Sequence, residues 1–197
     1  MRTVAIILVL SLAACANVPE ARHYVLSTQA DGGQNTSITG ELAVGLGRID
    51  LPRYLRQPAL VIRTAEQEVR PATYHRWAEP LDRGIRRSFA LHLDAELPGY
   101  RVEAAPTNLG DAALRVDLEV DQFHGSESGE VVFGGRWKAY SNENGRLVAG
   151  QAFRFRTATT QPGYSEIVKV KVEQIALLSS DVAASLAPVL QGAQHTN

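Results

Sequence analysis

Between Leu114 and Asp121 the sequence alternates without a break. Leu114, Val116, Leu118 and Val120 are apolar, and Arg115, Asp117, Glu119 and Asp121 between them are charged. A strand sends successive side chains to opposite faces, so this segment has one face on a core and the other in water. That pattern excludes an all-helical fold and makes a sheet the frame of the molecule. Phe123 falls out of phase, which predicts a bulge near Gln122. Residues 130–140 and 147–157 read as the next two strands. Asn142-Glu143-Asn144-Gly145 between them carries strong hairpin-turn chemistry. Leu147, Ala149, Phe153 and Phe155 share one face of the later strand, and Arg154 and Arg156 point the other way. Gly134-Gly135 and Gly45-Leu46-Gly47 sit inside strand patterns, where glycine permits a bend or a close approach.

The earlier half is read the same way. Residues 23–28 form a first strand with Tyr24 and Leu26 on one face, residues 29–40 carry loop chemistry, and a strand resumes at Glu41. Pro52 breaks the pattern, since proline cannot donate to a ladder, and predicts a turn over 51–55. Residues 59–63 and 68–70 suggest a hairpin around Glu66. Pro80 suits the first position of a helix whose stripe is Leu81, Ile85, Phe89, Leu93 and Leu97; Pro98-Gly99 stops it. Arg83, Arg86 and Arg87 lie off that stripe and read as its wet side. A second helix is predicted from Ser165, a suitable N-cap, to Leu186. Its stripe is Ile167, Val168, Val172, Ile175, Leu178, Val182 and Leu186, and Pro188 and Gly192 are expected to end it. The order of elements predicts a single α+β domain: a mixed, largely antiparallel sheet with two main helices packed on it.

A chain of 197 residues with 45% hydrophobic and 21% charged residues is long enough to bury a core without disulfides or metals. Its formal net charge of −1 offers no general basic surface for phosphates, so nucleic acid is not an expected partner. The start of the chain is specialised. Arg2 precedes an apolar run over 4–12, which ends in Ala13-Ala14-Cys15. The run is too short to span a bilayer, which takes about 20 residues, and has the form of an export signal. Leu12-Ala13-Ala14-Cys15 resembles the lipobox of bacterial lipoproteins. That resemblance implies a diacylglyceryl group on the Cys15 thiol, cleavage before Cys15, and acylation of the new amine. Cys15 is the sole cysteine, so no intramolecular disulfide competes for it. The expected organisation is a signal peptide over 1–14, a lipidated linker over 15–22, the folded domain over 23–190 and a tail over 191–197. Ala16, not Asp, follows the cysteine; by analogy with enterobacterial sorting this favours the outer membrane, facing the periplasm, over the inner membrane.

Chemistry is sparse. The five histidines, His23, His75, His92, His124 and His195, show no ligand spacing, and no metal is expected. No Gly-x-Ser-x-Gly elbow is present, and Ser126 and Ser128 beside His124 read as loop residues. Asp117 and Glu119 share an exposed strand face, where charge that suppresses aggregation explains them. No catalytic residue is assigned, and no cofactor is expected beyond the covalent lipid.

Several short motifs stand in a fixed order: Tyr24-Val25-Leu26, Leu51-Pro52-Arg53-Tyr54-Leu55, Arg76-Trp77-Ala78-Glu79-Pro80-Leu81, Leu97-Pro98-Gly99-Tyr100 and Gly135-Arg136-Trp137. Together, from about Tyr24 to Leu186, they resemble the PqiC-like family of ABC-type transport auxiliary lipoproteins, membrane-integrity-associated transporter subunits. The resemblance implies a non-catalytic lipoprotein subunit of an MCE-type transport system for lipids or other hydrophobic molecules. An MCE-domain protein is the implied partner, and a homo-oligomeric ring is an arrangement the family suggests. The matched positions are Pro52, Tyr54 and Leu55, which would shape a contact loop, and Trp77, Glu79, Pro80 and Leu81, which would fix the helix entrance. An outer-membrane assembly or scaffold lipoprotein is the alternative reading, and a periplasmic hydrolase a more distant one.

Overall fold

The structure, a computed structural model, describes residues 19–26, 43–104 and 112–194. Cys15 with its signal segment, the loop expected over 29–40 and His195 lie outside the described residues. Eight strands make one mixed sheet, with a pair of helices packed on it. In chain order the elements are β1 (Arg22–Tyr24), β2 (Ala43–Asp50), a 3-10 turn (Arg53–Leu55), β3 (Ala59–Ala65), β4 (Glu68–Trp77), α1 (Leu81–Glu96), β5 (Arg101–Glu103), β6 (Leu114–Ser126), β7 (Glu130–Ser141), β8 (Leu147–Ala158) and α2 (Tyr164–Gln194).

The alternating segment is the spine. β6 pairs antiparallel with β7 from Leu114↔Ser141 to Gly125↔Val131. Its other edge is shared: β2 runs parallel beside its first half, from Val44↔Leu114 to Asp50↔Glu119, and β3 runs parallel beside its end, at Ile62↔Gly125 and Arg63↔Ser126. The chain passes from one partner to the other through the 3-10 turn. The bulge falls between Val120 and Gln122, where the partnership changes, so Asp121 is the extra residue. Opposite it stands Gly135, and a Cβ there would fall onto the Glu119 carbonyl oxygen. Beyond β3 come β4, antiparallel, and β1, parallel; β5 lies parallel beside β2, and β8 antiparallel beside β7. The antiparallel pairings are the long ones, as the sequence implies. The parallel contacts of β1 and β5 involve three residue pairs each. Strands that short leave no periodicity to read, which is why β5 is unforeseen, and why β1 is shorter than expected.

The helices close the apolar face. Leu81, Ile85, Phe89 and Leu93 of α1 are buried, and Pro80 is its N-cap, one position ahead of the expected start of helix. Ile175, Leu178, Val182 and Leu186 of α2 are buried against the same core, and the Ser179 hydroxyl donates to the Phe89 carbonyl of α1 at 3.3 Å. The helix α2 starts at Tyr164 and does not stop after Leu186. It runs through Pro188 to Gln194. Proline costs one backbone hydrogen bond, but Pro188 is exposed while Leu186 and Leu190, one turn apart, are fully buried. Burial of that stripe outweighs the lost bond. Over Tyr164–Gly192 this helix is long and apolar enough to cross a membrane, with a mean hydropathy of 1.3. In this fold its stripe is covered by the sheet and α1.

One side chain in that stripe is unexpected. Lys171 is fully buried, its Nζ 3.8 Å from the centre of the Phe123 ring, and it makes no ion pair among the described residues. Burial holds its pKa well below the ordinary lysine value, so the amine is neutral in the fold. Nearby His124 is also held neutral, pushed down to about 4 by burial and by the charges of Lys171, Arg63 and Arg154. Both groups gain a proton on unfolding, His124 below about pH 6.5 and Lys171 below about pH 10.4, so both make stability rise with pH. The His124 contribution is complete above its unfolded value and is lost as pH falls from there towards 4. We predict that Lys171→Met stabilises the protein by about 1–4 kcal/mol at neutral pH. The variant should also lose a slope of about 1.4 kcal/mol per pH unit between pH 7 and 9 in chemical denaturation. A variant as steep as the parent would show that the amine is charged in the fold. Gly135→Ala should destabilise by more than about 3 kcal/mol, since backbone must move to admit the methyl.

Candidate functional site

The two longest motifs meet at one place. A cleft of about 590 Å³ lies between the end of β2, the segment after the 3-10 turn and the entrance to α1. Its floor is apolar, from Leu51, Pro58, Trp77, Pro80 and Leu81; its rim is polar, from Asp50, Arg56, Gln57, Glu79 and Asp82.

Each motif residue has a local reason for its place. Trp77 ends β4, is 7% exposed and stacks on Phe123 with ring centres 6.3 Å apart. Its N–H donates to the Pro58 carbonyl at 2.7 Å, and the next N–H, of Ala78, donates to Tyr24 of β1 at 2.8 Å. Pro80 then presents its carbonyl to Arg83 and Gly84 N–H at 3.0 and 3.1 Å, opening the helix. Glu79 lies over that first turn and takes both Arg87 guanidinium nitrogens, at 2.6 and 3.1 Å. Gly84 leaves room for it, with the Glu79 carboxylate 3.5 Å from where a Cβ would stand. A carboxylate at a helix N-terminus is favoured by the peptide dipoles.

The other motif divides. Pro52 begins the 3-10 turn, accepting from Leu55 N–H at 3.0 Å. Leu55 points into the core, 1% exposed. The Tyr54 hydroxyl donates to the Asp121 carbonyl at 2.8 Å, the group that the bulge leaves outside the ladder, and burial raises its pKa. So Trp77, Glu79, Pro80 and Leu81 line the cleft, whereas Pro52, Tyr54 and Leu55 shape it from behind. Sequence reasoning missed the rim residues Arg56, Gln57, Asp50 and Asp82, which no motif distinguishes from ordinary surface. It also missed the stack of His75 on Tyr164, ring centres 3.6 Å apart, with the Tyr24 hydroxyl 2.8 Å from His75 Nδ1.

Among the described residues no group of three or more potential metal ligands converges, and the cleft brings together no nucleophile with a base. An apolar floor with a polar rim, on a rigid sheet, defines a binding module. Comparison with known proteins gives the same class. The profile of the ABC-type transport auxiliary lipoprotein component family matches residues 24–183. The intermembrane transport lipoprotein PqiC of Escherichia coli K12 is 32% identical over 165 residues, covering 84% of this chain and 83% of that one; PqiC of Shigella flexneri matches equally. The chain therefore belongs to the ABC-type transport auxiliary lipoprotein family, whose members are transport components and not enzymes. Two crystal structures share the fold. One is of an uncharacterised protein, at TM-score 0.73 and 24% identity, covering 85% of this chain and 99% of that one. The other is a Xanthomonas campestris protein, at TM-score 0.69 and 12% identity, covering 88% and 99%.

The cleft residues should separate in mutagenesis. Trp77→Ala removes a core ring and should cost about 3–5 kcal/mol in denaturant unfolding. Glu79→Gln weakens a half-exposed ion pair and should cost less than about 1 kcal/mol. Equal losses would mean that the carboxylate is part of the core.

Proposed function

We propose that this chain is the lipid-anchored subunit of an MCE-type ABC transport system, fixed to the outer membrane and facing the periplasm. The lipid is carried by Cys15 after removal of residues 1–14. The 32% identity with PqiC over most of both chains carries the reading, because PqiC is named as an intermembrane transport lipoprotein. Two features of this chain support it. Cys15 follows Leu12-Ala13-Ala14 and is the sole cysteine. The chain then enters the body at β1, whose Tyr24 carbonyl is bonded beside the cleft. Anchor and cleft are thus joined by one short strand, so a partner seated in the cleft is held near the membrane. The partner is an MCE-domain protein, met through the apolar floor around Trp77, Pro80 and Leu81. The protein performs no chemistry on the cargo.

Two experiments test this. Cys15→Ser should leave the precursor uncut and deplete the protein from the outer-membrane fraction, as read by fractionation and mass spectrometry. Retention in that fraction with normal trimming would refute the anchor. Cross-linking from Gln57 or Asp82 in intact envelopes should capture the MCE protein. Recovery of a β-barrel or a peptidoglycan-linked complex in its place would identify a scaffold lipoprotein.

A further inference from the structure

A second concavity, about 880 Å³, opens where the tether joins the body, lined among others by Pro19, Arg22, His23, Tyr74, His75 and Ser165. Its base is rigid, since His75 is stacked on Tyr164 and hydrogen-bonded to Tyr24. The register places Arg22 beside His75 and His23 beside Arg76, so four basic residues occupy adjacent positions of β1 and β4. Arg22 and Arg76 are exposed and make no ion pair among the described residues; most other arginines of the sheet are paired. Glu20 is the single carboxylate of the lining. Tyr74 and Val25 at the same edge are 38% and 46% exposed.

We propose that this face rests on the anionic phospholipid surface of the bilayer that holds the anchor, with lipid phosphates against Arg22 and Arg76. The proposal rests on the lipid at Cys15. Four residues separate Cys15 from Pro19, so the rim of the concavity is held within about 14 Å of the anchored residue, even with the chain fully extended. That is close to the screening length of about 8–10 Å at physiological salt. Unpaired guanidinium groups match phosphate oxygens, and tyrosine suits the boundary between headgroup and water. A basic side chain near an anionic surface strengthens association about fivefold. The short tether therefore leaves a basic, partly aromatic surface facing a negatively charged one.

The test uses the full-length gene product, purified with its lipid and reconstituted in vesicles of phosphatidylcholine alone or of phosphatidylcholine with phosphatidylglycerol. Amide hydrogen exchange is followed in residues 19–26 and 68–77, with β8 as an internal control. On the anionic vesicles at low salt, exchange in both segments should slow about fivefold relative to the neutral ones. The slowing should vanish in Arg22→Glu/Arg76→Glu and in high salt, while β8 is unchanged. Both substituted side chains are exposed, so the variant keeps the fold. Equal exchange on the two vesicle types overturns the proposal while leaving the anchor intact. Protection in native envelopes but on neither vesicle assigns the face to a protein and also overturns it. Mass spectrometry showing no lipid on Cys15 removes the anchor, and the proposal with it.

Discussion

The bulge at Asp121 is the point on which the architecture turns. A regular β6 would keep one flat edge, and β2 and β3 could not both lie beside it while linked by so short a turn. The extra residue changes the facing of the strand, so that Phe123 points inward as Val120 does. It also frees a carbonyl, which the Tyr54 hydroxyl takes up. Gly135 lets β7 approach the irregular backbone. Tyr54 sits on the very turn that carries the chain from β2 to β3. Bulge, turn and glycine form one device, and the cleft opens just behind it. A bulge of this kind bends its strand and raises the local twist.

How legible this was in the sequence depended on the kind of signal. The long antiparallel strands were readable because alternation over β6 and turn residues at 142–145 act locally. The phase slip at Phe123 located the bulge to within a residue. Parallel pairing was not readable, because β1 and β5 are too short for periodicity and their partners are distant in sequence. Pro188 misled because a local rule was overruled by burial of its neighbours. Lys171 hid between Val170 and Val172, since nothing in a sequence says that a lysine inside an apolar stripe stays there when the helix is packed.

The candidate site divides along the same line. Trp77, Glu79, Pro80 and Leu81 were visible as a motif, and they do line one cleft. Tyr54 and Leu55 were visible too, but as residues that hold the scaffold in shape. A motif marks positions with little freedom without saying whether the restriction comes from packing or from a partner. The rim residues Arg56, Gln57 and Asp82 are brought to the cleft by the turn and the helix start, which is information carried by topology. Family membership gives the class of the protein; geometry tells which of its motif residues face outward.

The way β1 is joined to the body also has a mechanical meaning. It lies parallel to β4, and its last carbonyl is tied to the backbone just before α1. A force drawn along the chain ahead of Arg22 therefore runs along the strand direction. It loads the interstrand hydrogen bonds in shear, all at once, rather than peeling them apart singly. The load passes into the end of β4 at Trp77, which is wedged in the core, so tension on the leading segment is borne by the central sheet and felt at the mouth of the cleft.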